Sequence, residues 1–203
     1  MSWTGEGRTP EGIDLQRLRT TLLELLGIPS PAGRTDEVIQ VIGDRLVEIG
    51  LKPEVTRRGA ILVKPAGMPT EGPARALVAH ADTIGMIVRE VKPNGRLRVA
   101  QIGTHSARFA EGARCTVFSD ERNFRGSILP LKASGHTFNV EVDTLPIGWD
   151  YVELRVDERA DGREDLERLG LQVGDIVAID PQPEFLENGY IVSRHLDDKA
   201  GVA

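Results

Sequence analysis

The chain has 203 residues, 40% hydrophobic and 28% charged, the balance of an ordinary globular protein rather than of a disordered chain or a coiled coil. Its formal net charge is −6 and its pI about 5.3, with no basic stripe, so nucleic acid is not an expected partner. No run of ~20 apolar residues and no apolar leader is present, so neither a membrane span nor a signal peptide is expected, and a lone cysteine, Cys115, leaves no intrachain disulfide and fits the cytoplasm.

Residues 1–12 read as a loose polar tail. A first helix begins near Asp14, with Leu15, Leu18, Leu22, Leu25 and Leu26 on one face and Gly27 and Pro29 as its stop. After the loop Ile28–Arg34, Thr35 is a candidate N-cap with Asp36 and Glu37 in the first turn, where the helix dipole favours acids. Val38, Ile39, Ile42, Leu46 and Ile49 form the second apolar stripe, ended by Gly50. Short strands are expected at Glu54–Arg58 and Ala60–Lys64. The small-apolar run Ala76–Ala79 suits a strand buried on both faces of an α/β sheet.

Beyond His80 the pattern changes. Asn94-Gly95 is a two-residue hairpin signal between Met86–Val91 and Leu97–Ile102. Ala113–Ser119 and Phe124–Leu129 form a second strand pair, with Cys115 read as a small buried hydrophobe. Tyr151–Val156 and Asp175–Ile179 alternate likewise around a short helical stretch, Arg163–Leu169. A further turn at Asn188-Gly189 precedes Tyr190–Ser193. Short strands at regular spacing predict a small barrel or sandwich inserted into an α/β lobe.

Two stretches could carry chemistry. In His80-Ala81-Asp82, residues i and i+2 of a strand point to the same side. One ring nitrogen of His80 could then bind a metal while the other donates to Asp82, fixing the tautomer and raising ligand basicity. The bland alternative is a hydrogen-bonded histidine at a strand end. In Ser193-Arg194-His195-Leu196-Asp197-Asp198-Lys199-Ala200-Gly201-Val202, a carboxylate at the start of a helix could bridge two metals ~3.5–4 Å apart. Alternatively Asp197 caps the helix and Asp198 sits in its first turn.

Taken together, His80-Ala81-Asp82-Thr83-Ile84-Gly85 and Leu196-Asp197-Asp198-Lys199-Ala200-Gly201 resemble the paired motifs of the glutamyl-aminopeptidase and tetrahedral-aminopeptidase family of dinuclear metallopeptidases, some once labelled cellulase M. Leu169-Gly170-Leu171-Gln172-Val173-Gly174-Asp175 and the early Leu25–Pro31 match in order. Ser106–Gly112 and Leu131–Asn139 look closest to a branch associated with making the osmoprotectant N-acetylglutaminylglutamine amide.

The resemblance implies an α/β, phosphorylase/hydrolase-like metallopeptidase lobe with an inserted β-barrel. Residues 1–84 would be the first part of the catalytic domain, 85–187 the barrel that mediates dimers, and 188–203 the return to the catalytic domain. It implies two divalent metal ions, zinc foremost, with cobalt and manganese sharing the same donor preferences. His80 matches a terminal metal ligand, Asp82 the catalytic acid that orients it, and Asp197 the acid bridging both metals, with Asp198 its neighbour. His195 stands where relatives often have a small residue, so it could intrude on the metal pocket or contact substrate. Lys199 stands where arginine is frequent and would lose a bidentate fork. The implied substrate is a peptide or dipeptide-like molecule, and the implied assembly a homo-oligomer. The family places a general-base glutamate and further ligands after the second motif, so this chain is expected to bind metal weakly and not to turn over peptides. Competing readings are a deacylase of acylated dipeptides and a non-catalytic binding module. His105, His136, Lys132 and Arg108 are expected in structural or surface roles.

Overall fold

The computed structural model describes residues 12–67, 72, 73 and 75–203, so the expected loose tail lies outside the described residues except for Gly12. The chain divides into two compact units, one formed by residues up to Asp82 together with Pro181–Ala203, the other by Thr83–Asp180.

The first unit opens with helix α1 (Leu15–Gly27), capped by Asp14, whose carboxylate accepts from the Arg17 N–H at 3.0 Å. Helix α2 (Asp36–Glu48) follows, with Thr35 at the N-cap position but no side-chain cap bond. Arg45 of α2 grips Glu24 of α1, Nε–Oε2 at 3.1 Å and Nη2–Oε1 at 2.8 Å. The apolar stripes are only partly covered. Leu22, Leu25, Leu26 and Val38 are buried, whereas Leu15 and Ile49 lie about half exposed at 52% and 50%. A two-residue hairpin, β1 (Glu54–Val55) and β2 (Ile61–Leu62), completes this stretch.

One expectation fails here. Ala76–Ala79 is not a buried strand: 75–80 has no regular structure, and Leu77 and Val78 are 105% and 90% exposed. A strand in a sheet interior needs a hydrogen-bonded neighbour on each side, and no strand among the described residues pairs with this run.

The second unit is a closed six-stranded barrel. Its strands are β3 (Gly85–Val91), β4 (Leu97–Ile102), β5 (Arg114–Phe118), β6 (Asn123–Pro130), β7 (Val152–Val156) and β8 (Ile176–Ile179), ordered β3-β4-β7-β6-β5-β8 and antiparallel throughout. Closure leaves no free edge, and the period-2 alternation of each strand fills the interior. Val88, Val99, Cys115, Val117, Phe124, Ile128, Leu154 and Val177 all face it. A bulge between Val88 and Glu90 adds one residue, so Val88 and Val91 both point inward. The β3–β4 turn uses Gly95 at φ +70°, where an added Cβ would collide with the Ala160 carbonyl. Between β6 and β7 an arm carries two one-turn helices, α3 (Gly135–Phe138) and α4 (Glu141–Thr144), with no buried residue in either. Helix α5 (Arg163–Arg168) buries Leu166 in the barrel core.

The chain returns to the first unit at Pro181. There β9 (Glu184–Phe185) pairs with β10 (Ile191–Val192) within the first unit. Helix α6 (Leu196–Val202) ends the described chain, and Val202 and Ala203 pack with Ile28, Ile39 and Ile42 around Leu25, Val38 and Ala81. Among the described residues no helix is long and apolar enough to cross a membrane.

Candidate metal centre

The two motifs, 117 residues apart in sequence, meet in the first unit. His80 Nε2 lies 3.1 Å from Asp197 Oδ1. His80 Nδ1 faces two oxygens of Asp82, the backbone carbonyl at 3.1 Å and the carboxylate Oδ1 at 3.3 Å. The carbonyl, not the carboxylate expected from sequence, is the nearer acceptor. Two acceptors beside Nδ1 place its proton there and turn Nε2 toward Asp197.

That orientation creates an electrostatic demand. With its proton on Nδ1, a neutral His80 would direct an Nε2 lone pair at a carboxylate oxygen, two negative ends 3.1 Å apart. A proton on Nε2, in the other tautomer or in the imidazolium, or a metal ion makes the contact favourable. The pKa of His80 reflects this. Slight burial pulls it down, but the Asp82 carbonyl bond and the charges of Asp82 and Asp197 outweigh that and raise it above the ordinary histidine value. Both partners open to solvent, His80 at 53% and Asp197 at 95% side-chain exposure, so an ion can reach them. An imidazole nitrogen and a carboxylate oxygen at this spacing also suit neighbouring positions on one divalent cation, with bonds of about 2.0–2.2 Å. The residues present therefore fit such an ion. Among the described residues no three His, Cys, Asp or Glu side chains converge on one point, because Asp82 serves the opposite ring nitrogen.

The start of α6 separates its two acids. The Asp197–Asp198 peptide is cis, and both residues leave helical geometry, Asp197 at φ −86°, ψ 106° and Asp198 at φ −120°, ψ 33°. Asp198 turns back to cap the helix, its Oδ1 accepting from the Gly201 N–H at 3.1 Å. Gly201 leaves room for that carboxylate, which an added Cβ would strike. The capping role that the sequence left open for Asp197 thus falls to Asp198, and Asp197 is left facing His80.

His195 is half-buried at the head of α6 in the left-handed region, φ +69°. Lys199 is 1% exposed, and its ammonium donates to the Leu25 and Ile28 carbonyls at 2.7 and 2.6 Å. Burial lowers its pKa to about 8. The fork that an arginine would supply is replaced by a point charge with two backbone acceptors. Ser30, fully buried, donates to the Ala81 carbonyl at 2.7 Å. Neither contact was legible beforehand, since both acceptors are backbone atoms.

The other histidines lie in the barrel unit. His105 is half-buried edge-on to Trp149, ring centroids 5.0 Å apart, and desolvation lowers its pKa. His136 is exposed on α3. Lys132 pairs with Glu141 and sits 6.0 Å from the Phe138 ring centroid, while Arg108 is exposed. Burial pushes the Cys115 thiol up to about 12, which suits a packing residue and not a nucleophile.

The chain is similar to known proteins over most of its length. The profile of the M42 glutamyl aminopeptidase family matches residues 59–203. A Bacillus subtilis protein named as an aminopeptidase, YhfE, is 38% identical over 181 residues, 89% of this chain and 52% of its own length. The aminopeptidase APDkam598 of Desulfurococcus kamchatkensis superposes with a TM-score of 0.75 at 25% identity, over 92% of this chain and 49% of its own. The Pyrococcus horikoshii TET1 peptidase, described as assembling into a tetrahedron or a large octahedral shell, gives a TM-score of 0.73 at 24% identity, over 91% of this chain and 53% of its own. The chain spans about half the length of these relatives. It belongs to the M42 glutamyl aminopeptidase family.

Proposed function

We propose that this chain carries the first metal-ligand motifs of an aminopeptidase that removes N-terminal residues from peptides with the help of divalent metal ions. The observation that carries the reading is the 3.1 Å approach of His80 Nε2 to Asp197 Oδ1, with Asp82 on the opposite ring nitrogen. His80 and Asp197 would hold divalent metal, a pair of ions with zinc foremost and Asp197 shared between them. Imidazole and carboxylate donors also accommodate cobalt and manganese. When bound, such ions polarise a scissile carbonyl and lower the pKa of water.

The chain's own residues have separate tasks. His80 presents Nε2 as a neutral donor. Asp82 holds the ring and its Nδ1 proton through the bonds at 3.1 and 3.3 Å. Asp198 is drawn away into the helix cap, which leaves one exposed acid opposite the imidazole. His195, two residues before Asp197 in a left-handed conformation, would contact the substrate. The closed barrel is the proposed self-association module of a homo-oligomeric cytoplasmic enzyme, a reading supported by the shells described for the Pyrococcus horikoshii relative.

A catalytic zinc usually takes three protein ligands and a water. His80 and Asp197 supply two donors, so the 203-residue chain by itself should bind zinc or cobalt weakly and leave aminoacyl anilides uncleaved. Titration with cobalt(II), followed by calorimetry, tests the donor assignment. His80→Ala and Asp197→Ala should abolish measurable binding, while Asp198→Asn should retain most of it. Equal binding by the parent chain and His80→Ala would refute the assignment, and rapid anilide hydrolysis by this chain would refute the incomplete-site reading.

A further inference from the structure

We propose that the end of α1 and the turn after it, Leu25–Pro31, form a clamp that sets the separation of His80 and Asp197, with Ser30 and Lys199 as positioning residues. This rests on the reading of His80 and Asp197 as metal donors.

Both motifs are tied to this one segment. Ala81, between His80 and Asp82, receives its carbonyl bond from Ser30 Oγ at 2.7 Å. Lys199, two residues after Asp197, donates to Leu25 and Ile28 at 2.7 and 2.6 Å. The last carbonyls of a helix lack intrahelical partners and carry the negative end of its dipole. Helix α1 has no basic residue in its own last turn. Lys199, 174 positions from Leu25, supplies that charge from α6. Ser30 and Lys199 are 0% and 1% exposed, so water cannot stand in for either bond at little cost. Between Ile28 and Ser30 the Pro29 ring restricts the backbone, and Pro31 does so directly after Ser30. A lysine buried this deeply is expensive to desolvate, and its partners are backbone atoms that no substitution elsewhere would remove. Movement of α6 relative to the turn would carry Asp197 away from His80, and loosening of Ser30 would release the His80–Asp82 segment.

The test uses the 203-residue chain with Ser30→Ala, Lys199→Met and Lys199→Arg, and Leu22→Ala as a control that weakens the same helix through its apolar face outside the clamp segment. Two quantities are read: the dissociation constant for cobalt(II), and the His80 imidazole nitrogen resonances without metal. Lys199→Met and Ser30→Ala should each weaken cobalt binding about tenfold or more, the range for residues that orient a ligand, and should shift the His80 resonances. Lys199→Arg should restore both, and Leu22→Ala should lower Tm while changing neither. Parent-like affinity and resonances in Lys199→Met or Ser30→Ala would overturn the clamp, as would an equal loss in Leu22→Ala. If Lys199→Met does not fold, Ser30→Ala and Lys199→Arg decide the matter. If the parent chain takes up no cobalt, the metal reading fails and the His80 resonances still decide the clamp. If cobalt binding depends on His80 and Asp197 but not on Ser30 or Lys199, the clamp alone falls.

Discussion

The barrel unit and the first unit bury their apolar residues in different ways. In the barrel every strand has neighbours on both sides and one continuous core runs from Met86 to Ile179. In the first unit the apolar cluster at the site centres on Leu25, Val38 and Ala81, and nearly bare residues such as Leu77 lie in the same unit. Alternating strands that close on themselves need nothing further to hide their hydrophobic face. The helices and the extended run of the first unit depend on what is laid against them. The site belongs to the second kind of architecture, which explains why buried polar bonds from Ser30 and Lys199, and not a thick apolar core, hold its two motifs.

The sharpest way to break this comparison is to cut equally into both regions. Leu154→Ala, at a fully buried barrel position, should cost about 2–5 kcal/mol. Leu25→Ala, the same deletion in the first unit, should fall at the low end of that range, about 2–3 kcal/mol, because a small cluster with partly buried neighbours relaxes more easily around the cavity. Urea unfolding measures both, and Cys115 gives a barrel-specific readout. Its thiol, inert in the closed barrel, should react with iodoacetamide only as the barrel opens, and faster in Leu154→Ala. Equal losses at the two positions would erase the distinction.

A smaller effect is expected from pH at the site. The His80 pKa is raised, so the folded state favours the imidazolium. The ion pair with Asp197 is therefore fully present below the ordinary histidine pKa and is lost as pH rises through the raised value. A metal ion competes with that proton, so cobalt affinity should fall as pH drops through the same window, by about tenfold per unit once the ring is protonated. Titration calorimetry at a series of pH values checks this, and a pH-independent affinity would remove His80 from the donor set. The smallest effect is expected at Leu77, where Leu77→Asp should change stability by no more than about 0.5 kcal/mol, since the side chain is already in water. A large loss in urea unfolding would mean that the run is covered in solution.

Local signals led to most elements because they are themselves local physics. Asp14 caps α1, Asn94-Gly95 turns β3 into β4, and the alternation in Arg114–Phe118 and Asn123–Pro130 matches a buried inner face. The approach of His80 to Asp197 is one that the family resemblance implied and that the spacing of the two motifs did not. What failed was Ala76–Ala79, where composition suggested a buried strand but no described strand pairs with it. Composition reports a residue's preference for burial, whereas burial itself requires a neighbour.

Residue type and order alone pointed to a small barrel or sandwich inserted into an α/β lobe and marked a histidine and a pair of acids as candidate metal ligands. The family resemblance favoured Asp197 over Asp198, and only the tertiary structure supplied a reason, with Asp198 spent on the Gly201 N–H and Asp197 left open. It also decided that Ser30 and Lys199 tie the motifs to one turn. The reason is physical: backbone carbonyls are the same at every position, so a bond to one leaves no mark in the sequence until the fold brings donor and acceptor together.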